Sequence, residues 1–155
     1  MNRFFNFLML VAMSAAIFSC GEDEKDAAPV SPLEERTLLL TGGSSKAWAF
    51  TAQYDSEGYV ESECMYDNVV TYNSGGDVSV VVNQICYEGE EDSDMKWKFN
   101  DDATILQWVD GYVVYDFEVV DLTATKLVIS MEMDLREDTG DDDAIFVTEL
   151  HYEAK

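Results

Sequence analysis

Positive charge is scarce in this chain: 9 Lys and Arg stand against 32 Asp and Glu, for a formal net charge of −23. Nucleic acid or an anionic lipid surface would meet repulsion at each phosphate, so both are excluded as partners. Histidine is reduced to His151, and cysteine to Cys20, Cys64 and Cys86. The sequence has no Gly-x-Ser-x-Gly, no His-Glu-x-x-His and no phosphate-binding glycine loop, the spacings that activate a nucleophile, hold a catalytic zinc or cradle a nucleotide. Carboxylate pairs such as Asp101 and Asp102 are abundant, but in so acidic a chain abundance carries no information about acid–base chemistry. The expectation is a protein that is not an enzyme, with no catalytic residue, no cofactor and no dedicated metal site. Long apolar runs are also missing beyond Phe4–Phe18, which is broken by Asn6 and Ser14 and falls short of the roughly 20 residues of a membrane span.

That run is preceded by one positive charge, Arg3, and followed by Ile17-Phe18-Ser19-Cys20, giving the charged start, apolar middle and small residue of an export leader. The segment resembles the lipobox of bacterial lipoproteins, in which the cysteine after the cut receives diacylglycerol on its sulfur. Gly21-Glu22-Asp23-Glu24-Lys25-Asp26 resembles the surface-export signal of Bacteroidetes lipoproteins. The resemblance implies a signal peptide over 1–19, lipidation at Cys20, and an outer-membrane lipoprotein facing the periplasm or the cell surface. Two or more acyl chains anchor stably where one chain binds marginally.

Residues 20–32 are acidic, contain Pro29 and Pro32 and have few apolar side chains, the composition of a flexible spacer. A short helix is then expected, with Ser31 as cap, Pro32 in the first position, Glu34 and Glu35 in the first turn, and Gly42-Gly43 as the stop. From there the apolar period is two. Eight runs alternate: Ala47–Tyr54, Tyr66–Asn73, Gly76–Ile85, Met95–Asn100, Thr104–Val109, Tyr112–Val120, Lys126–Leu135 and Ala144–Tyr152. The cleanest sets Leu127, Ile129, Met131, Met133 and Leu135 against Lys126, Val128, Ser130, Glu132 and Asp134, and the same alternation puts Val70 with Tyr72, Met95 with Trp97 and Phe99, Tyr115 with Phe117, and Phe146 with Leu150 and Tyr152 on the inward faces of their runs. Short links between the runs predict an all-β domain over 33–155, an eight-stranded antiparallel up-and-down barrel whose closure removes its sheet edges. A barrel of that size holds either side chains or one small ligand. Inward aromatic residues are ordinarily packing, so Trp48, Trp97, Trp108 and Tyr115 stand as candidates for a cavity lining against a filled core.

Cys64 and Cys86 lie equally far from Gly75 in the turn Asn73-Ser74-Gly75-Gly76. A hairpin centred there puts them opposite each other and aligns Tyr66 with Gln84, Val70 with Val80, and Tyr72 with Val78. Outside the cytoplasm this predicts a disulfide, worth roughly 3 kcal/mol on the chain-entropy model. A redox or metal pair is the alternative, without a CxxC spacing or a neighbouring histidine to support it.

Alternate links of such a meander fall at opposite ends, which gathers the long acidic loops at one rim. Glu88, Glu90, Glu91, Asp92 and Asp94 there face Glu137, Asp138, Asp141, Asp142 and Asp143. Calcium takes about six to eight oxygens, yet Asp138-Thr139-Gly140-Asp141-Asp142-Asp143 lacks the calcium loop's spacing of acids and glycine. The expected state is a solvated, self-repelling rim, with calcium or a basic protein as the partners it would admit. His151 is expected to face solvent on the last strand.

Leu40-Thr41-Gly42-Gly43-Ser44-Ser45-Lys46-Ala47-Trp48, Cys64-Met65-Tyr66-Asp67-Asn68, Thr71-Tyr72-Asn73-Ser74-Gly75-Gly76 and Cys86 together resemble the lipocalin-like lipoproteins of Bacteroidetes. The resemblance implies an eight-stranded barrel, binding of a small apolar or amphipathic ligand, and Trp48 closing one end. The competing expectation is a non-catalytic structural or protein-interaction module with a filled barrel and acidic loops.

Overall fold

The computed structural model describes residues 30–56, 58–60, 68–85, 91–134 and 145–155. The leader and the three cysteines lie outside these residues. The first element is helix α1 (Pro32–Thr41), and its start is a capping box. Ser31 Oγ accepts from the Glu34 amide at 3.2 Å, while Glu34 Oε2 accepts from the Ser31 amide at 2.9 Å. Donation to Glu34 Oε2 from the Ser31 amide, and from the Ser31 hydroxyl at 3.0 Å, holds the Glu34 carboxyl below the ordinary carboxylate range. Pro32 occupies the first turn, where no amide donor is missed. The helix stops at Gly42 (φ 62°), whose left-handed backbone a side chain would strain.

Every carbonyl of the last turn finds a donor. Gly42 N–H donates to Leu38 O (2.8 Å), Lys46 Nζ to Leu39 O (3.0 Å), Trp48 Nε1 to Leu40 O (2.9 Å) and Ser44 N–H to Thr41 O (3.3 Å). The negative end of the helix is thus met by a lysine and an indole from the strand that follows.

Nine strands follow: β1 (Ser45–Asp55), β2 (Gly58–Val60), β3 (Val69–Asn73), β4 (Asp77–Val81), β5 (Ser93–Phe99), β6 (Ile105–Asp110), β7 (Val113–Leu122), β8 (Lys126–Asp134) and β9 (Ile145–Ala154). From β3 to β9 each strand pairs antiparallel with the next in the chain, and β9 pairs back to β1 from Trp48↔Ala154 to Tyr54↔Glu149. Since β3 also pairs with β1, the sheet closes into an antiparallel barrel of eight strands. The extra strand β2 lies along the same edge of β1 as β3, beyond its end: Gln53 faces Val60, whereas Ala49 faces Val69. The alternation gives no strand between the runs Ala47–Tyr54 and Tyr66–Asn73, and the structure corrects this with β2. Asp55 Oδ1 accepts from the Gly58 amide at 3.0 Å, making a tight turn that returns the chain along β1 at once.

The expected register is present in the second hairpin of the barrel, where Val70 faces Val80 and Tyr72 faces Val78. Cys64 and Cys86, which extend that register, lie outside the described residues. The third run ends sooner than Ile85, because at Val82 the backbone amide donates to the Asp92 carboxylate at 2.8 Å instead of to a neighbouring strand. Two bulges bend the wall, between Phe50 and Ala52 on β1 and between Val119 and Asp121 on β7.

Alternation fills the interior as the pattern requires. Phe50, Val70, Tyr72, Val78, Phe99, Leu106, Phe117, Leu127, Ile129 and Tyr152 are buried in one core together with Leu40 of the helix. Helix α1 covers one end: Arg36 Nη1 donates to Ala103 O (2.9 Å) and Lys46 Nζ to Ala124 O (2.6 Å), tying it to the β5–β6 and β7–β8 turns. This is the closed end. Strand ends at Asp55, Val81, Asp110 and Asp134 lie at the opposite, open end.

Candidate functional site

The site is built where the barrel wall leaves the aromatic floor of the core. Tyr72 is fully buried, with the Trp97 ring edge-on at 5.8 Å, and its hydroxyl accepts from Trp108 Nε1 at 3.1 Å. Trp108 in turn lies 4.9 Å from the Phe117 ring, and across the β6–β7 ladder it faces Tyr115. Above this floor is a cavity of about 780 Å³ walled by Met95, Trp108, Tyr115, Phe117, Met131 and Leu150. That volume lies in the range of small-molecule sites. Asp110, Asp116 and Glu132 stand at its mouth with Ser93. A second chamber of about 310 Å³ abuts it across Met95, Trp108 and Leu150, and is lined further by Phe50, Asn68, Val70, Val80 and Tyr152. No basic side chain lines either chamber among the described residues. The lining is apolar with acceptors at its margins, which suits an uncharged or amphipathic guest and repels an anion.

The aromatic candidates divide by depth. Trp108 and Tyr115 line the cavity, and Tyr115, 42% exposed, sits at its lip. Trp48 and Trp97 lie away from it. Trp48 is fully buried at the closed end under the helix, with the Lys46 ammonium 4.1 Å from its ring, and Trp97 donates from Nε1 to Asn73 O at 2.9 Å in the packed floor. Neither lines this cavity or the smaller chamber beside it. Met95, Phe117, Met131 and Leu150 were assigned by alternation to inward faces without being singled out as lining. Asn68 was missed, although it precedes Val70 and Tyr72 at the same two-residue spacing.

His151 is on the outer wall, 3.2 Å from Glu149 Oε2 and 4.7 Å from the Tyr54 ring. Among the described residues no group of three His, Cys, Asp or Glu side chains is placed to hold a metal ion. Of the rim acids, Glu88, Glu90, Glu137, Asp138, Asp141, Asp142 and Asp143 lie outside the described residues. No protein-family model and no curated protein sequence matches this chain.

Proposed function

We propose that this protein is a membrane-anchored binding barrel, lipocalin-like and up-and-down in topology, that takes a small apolar or amphipathic molecule into the chamber at its open end and performs no catalysis. One observation carries the reading: the cavity of about 780 Å³ whose walls are Met95, Trp108, Tyr115, Phe117, Met131 and Leu150. Met95, Trp108, Met131 and Leu150 pack on the core on one side and border this volume on the other. The strand order supports the topology, and inter-strand amide contacts measured by NMR between barrel strands out of chain order would remove it.

The test uses the full chain carrying Cys20→Ser, so that no acyl group competes, titrated with pyrene. We expect saturable binding with quenching of tryptophan emission, because Trp108 forms part of the wall. Met131→Trp should fill the chamber and weaken pyrene binding roughly tenfold or more. Equal binding by both proteins, or none by either, would refute the cavity reading.

Anchoring and cross-linking are read from the sequence. Cys20 carries the lipid, Cys64 and Cys86 are joined, and the protein sits in the outer membrane. Mass spectrometry of protein from its own envelope should show the acyl groups on the Cys20 peptide and a Cys64–Cys86 peptide that separates on reduction. Cys20→Ser should leave the membrane fraction. Recovery of that variant in membranes would end the anchor proposal, and free thiols at 64 and 86 the disulfide. The acidic rim remains a place for calcium or a basic partner, and a calcium titration without heat or thermal stabilisation would remove the metal version.

A further inference from the structure

We infer that the guest of this barrel carries an uncharged hydrogen-bond acceptor, a carbonyl group, and that the Tyr152 hydroxyl in the smaller chamber donates to it. The inference rests on the cavity reading above and goes on to the chemistry of the ligand's head.

Tyr152 lies near the end of β9, between Phe50 of β1 and Leu127 of β8, and only 5% of it is exposed. Its neighbour His151 is on the outer wall, so the tyrosine side chain points inward, where its ring meets Phe50 edge-on at 5.7 Å. There it lines the chamber of about 310 Å³. Burial alone holds its hydroxyl far above the ordinary tyrosine range, with no hydrogen bond contributing, whereas at Tyr72 the bond from Trp108 opposes the same burial. The Tyr152 hydroxyl is thus a protonated donor at neutral pH, and it has no partner among the described residues. Nor is it walled in. Asn68 Oδ1 is the one side-chain polar atom among the described residues that is both unpartnered and closed off, so the unpartnered Tyr152 hydroxyl keeps open surface on the chamber it lines. A hydroxyl in that position carries a desolvation penalty that phenylalanine would avoid.

The other open polar groups of the chamber make the same demand. Ser93 stands where the two chambers meet, half-buried and likewise without a partner among the described residues. Asn68, with Oδ1 closed off, has only its amide nitrogen to turn to the chamber, and that atom is a donor. All three can donate, and the amide nitrogen can do nothing else. A carbonyl oxygen, with two lone pairs and no proton, answers this set. An alcohol would accept from Tyr152 but bring a further proton to a chamber already in excess of donors. An ammonium would set donors against donors. A carboxylate accepts well, but no basic side chain lines either chamber among the described residues, and Glu91, Asp110, Asp116 and Glu132 stand at the margins. Its charge would be buried unpaired. The larger cavity, which shares Ser93, Met95, Trp108 and Leu150 with this chamber, has room for an apolar tail.

The experiment displaces pyrene from the Cys20→Ser chain with methyl nonyl ketone, with the alcohol of the same carbon skeleton, and with undecanoate. The ketone should bind tightest and undecanoate weakest. Tyr152→Phe removes only the hydroxyl: it should weaken ketone binding roughly tenfold and leave pyrene binding unchanged. The C=O stretch of the bound ketone should lie at lower frequency in the parent chain than in Tyr152→Phe. Without ligand, Tyr152→Phe should melt no lower than the parent, because the hydroxyl has no partner in the protein. Ketone affinity that survives Tyr152→Phe, equal C=O frequencies in the two proteins, or an alcohol that binds tighter than the ketone overturns the inference. So does a ligand-free Tyr152→Phe protein that melts lower, since the hydroxyl would then have a structural role. If pyrene itself fails to bind, the cavity reading falls and takes this inference with it; if pyrene binds and the ketone is indifferent to Tyr152, this inference falls alone.

Discussion

Trp48→Ala should cost about 3–5 kcal/mol of folding free energy, the range for deleting a large aromatic side chain from a core. The side chain is fully buried where the first strand passes under α1. Its loss removes apolar contact and also the indole N–H that Leu40 O accepts at 2.9 Å. It further removes the ring beneath the Lys46 ammonium, whose contact with the Leu39 and Ala124 carbonyls ties helix to turn. Trp48→Phe separates the effects: it keeps most of the packing and leaves the Leu40 carbonyl unpaired, for about 1–3 kcal/mol. Trp108→Ala is the contrast, because that side chain already borders open volume and should cost less. Urea unfolding of the three variants measures this. Equal losses for Trp48→Ala and Trp108→Ala would mean that the helix does not close the barrel through Trp48.

The same contrast explains how much of the molecule could be read from the residues. Period-two alternation gives the face a side chain points to, and so Leu127, Ile129, Phe117 and Tyr72 were placed inward, where they are. The turn Asn73-Ser74-Gly75-Gly76 gives the register of its hairpin, since pairing must count outward from it; Val70↔Val80 and Tyr72↔Val78 follow. The Ser31 cap and the Gly42 stop were legible because each uses a local bond or backbone conformation particular to that residue type. Alternation cannot give depth along the barrel axis. Trp97 and Trp108 both point inward and face each other across the β5–β6 ladder, yet only Trp108 borders the cavity. The difference comes from tertiary packing: Trp97 is held by the Asn73 carbonyl and the Gly76 turn, while Trp108 is bonded to the Tyr72 hydroxyl in the floor and faces Tyr115 at the lip. Strand β2 and the bulges at Thr51 and Val120 were equally invisible, because each depends on a partner strand and not on the segment's own pattern. Asn68 had a signal that went unused: a polar residue on an inward face is informative where an inward aromatic is not.

Stability should fall steeply in alkali, and two buried tyrosines set the slope. Burial is the main cause that pushes the Tyr152 hydroxyl far above its ordinary range. Tyr72 is also pushed well up, first by burial and next by the charge Tyr152 would carry, against a smaller opposing effect of the Trp108 hydrogen bond. Below about pH 10, the ordinary tyrosine value, both phenols stay protonated folded or unfolded, and no stability is lost. Above it the unfolded chain releases protons that the folded chain retains, so the unfolded state gains. Each tyrosine then removes about 1.4 kcal/mol per pH unit until the folded hydroxyl itself ionises. Both together should roughly double that slope. Tyr72→Phe should cost about 1–3 kcal/mol near neutrality by leaving Trp108 Nε1 without its acceptor, while cutting the alkaline slope to about half, so that its deficit narrows as pH rises. Urea unfolding between about pH 8 and about pH 11 checks both statements. A deficit that stays constant across that window would mean that Tyr72 ionises as readily in the barrel as in the open chain, and that water reaches the floor of the cavity.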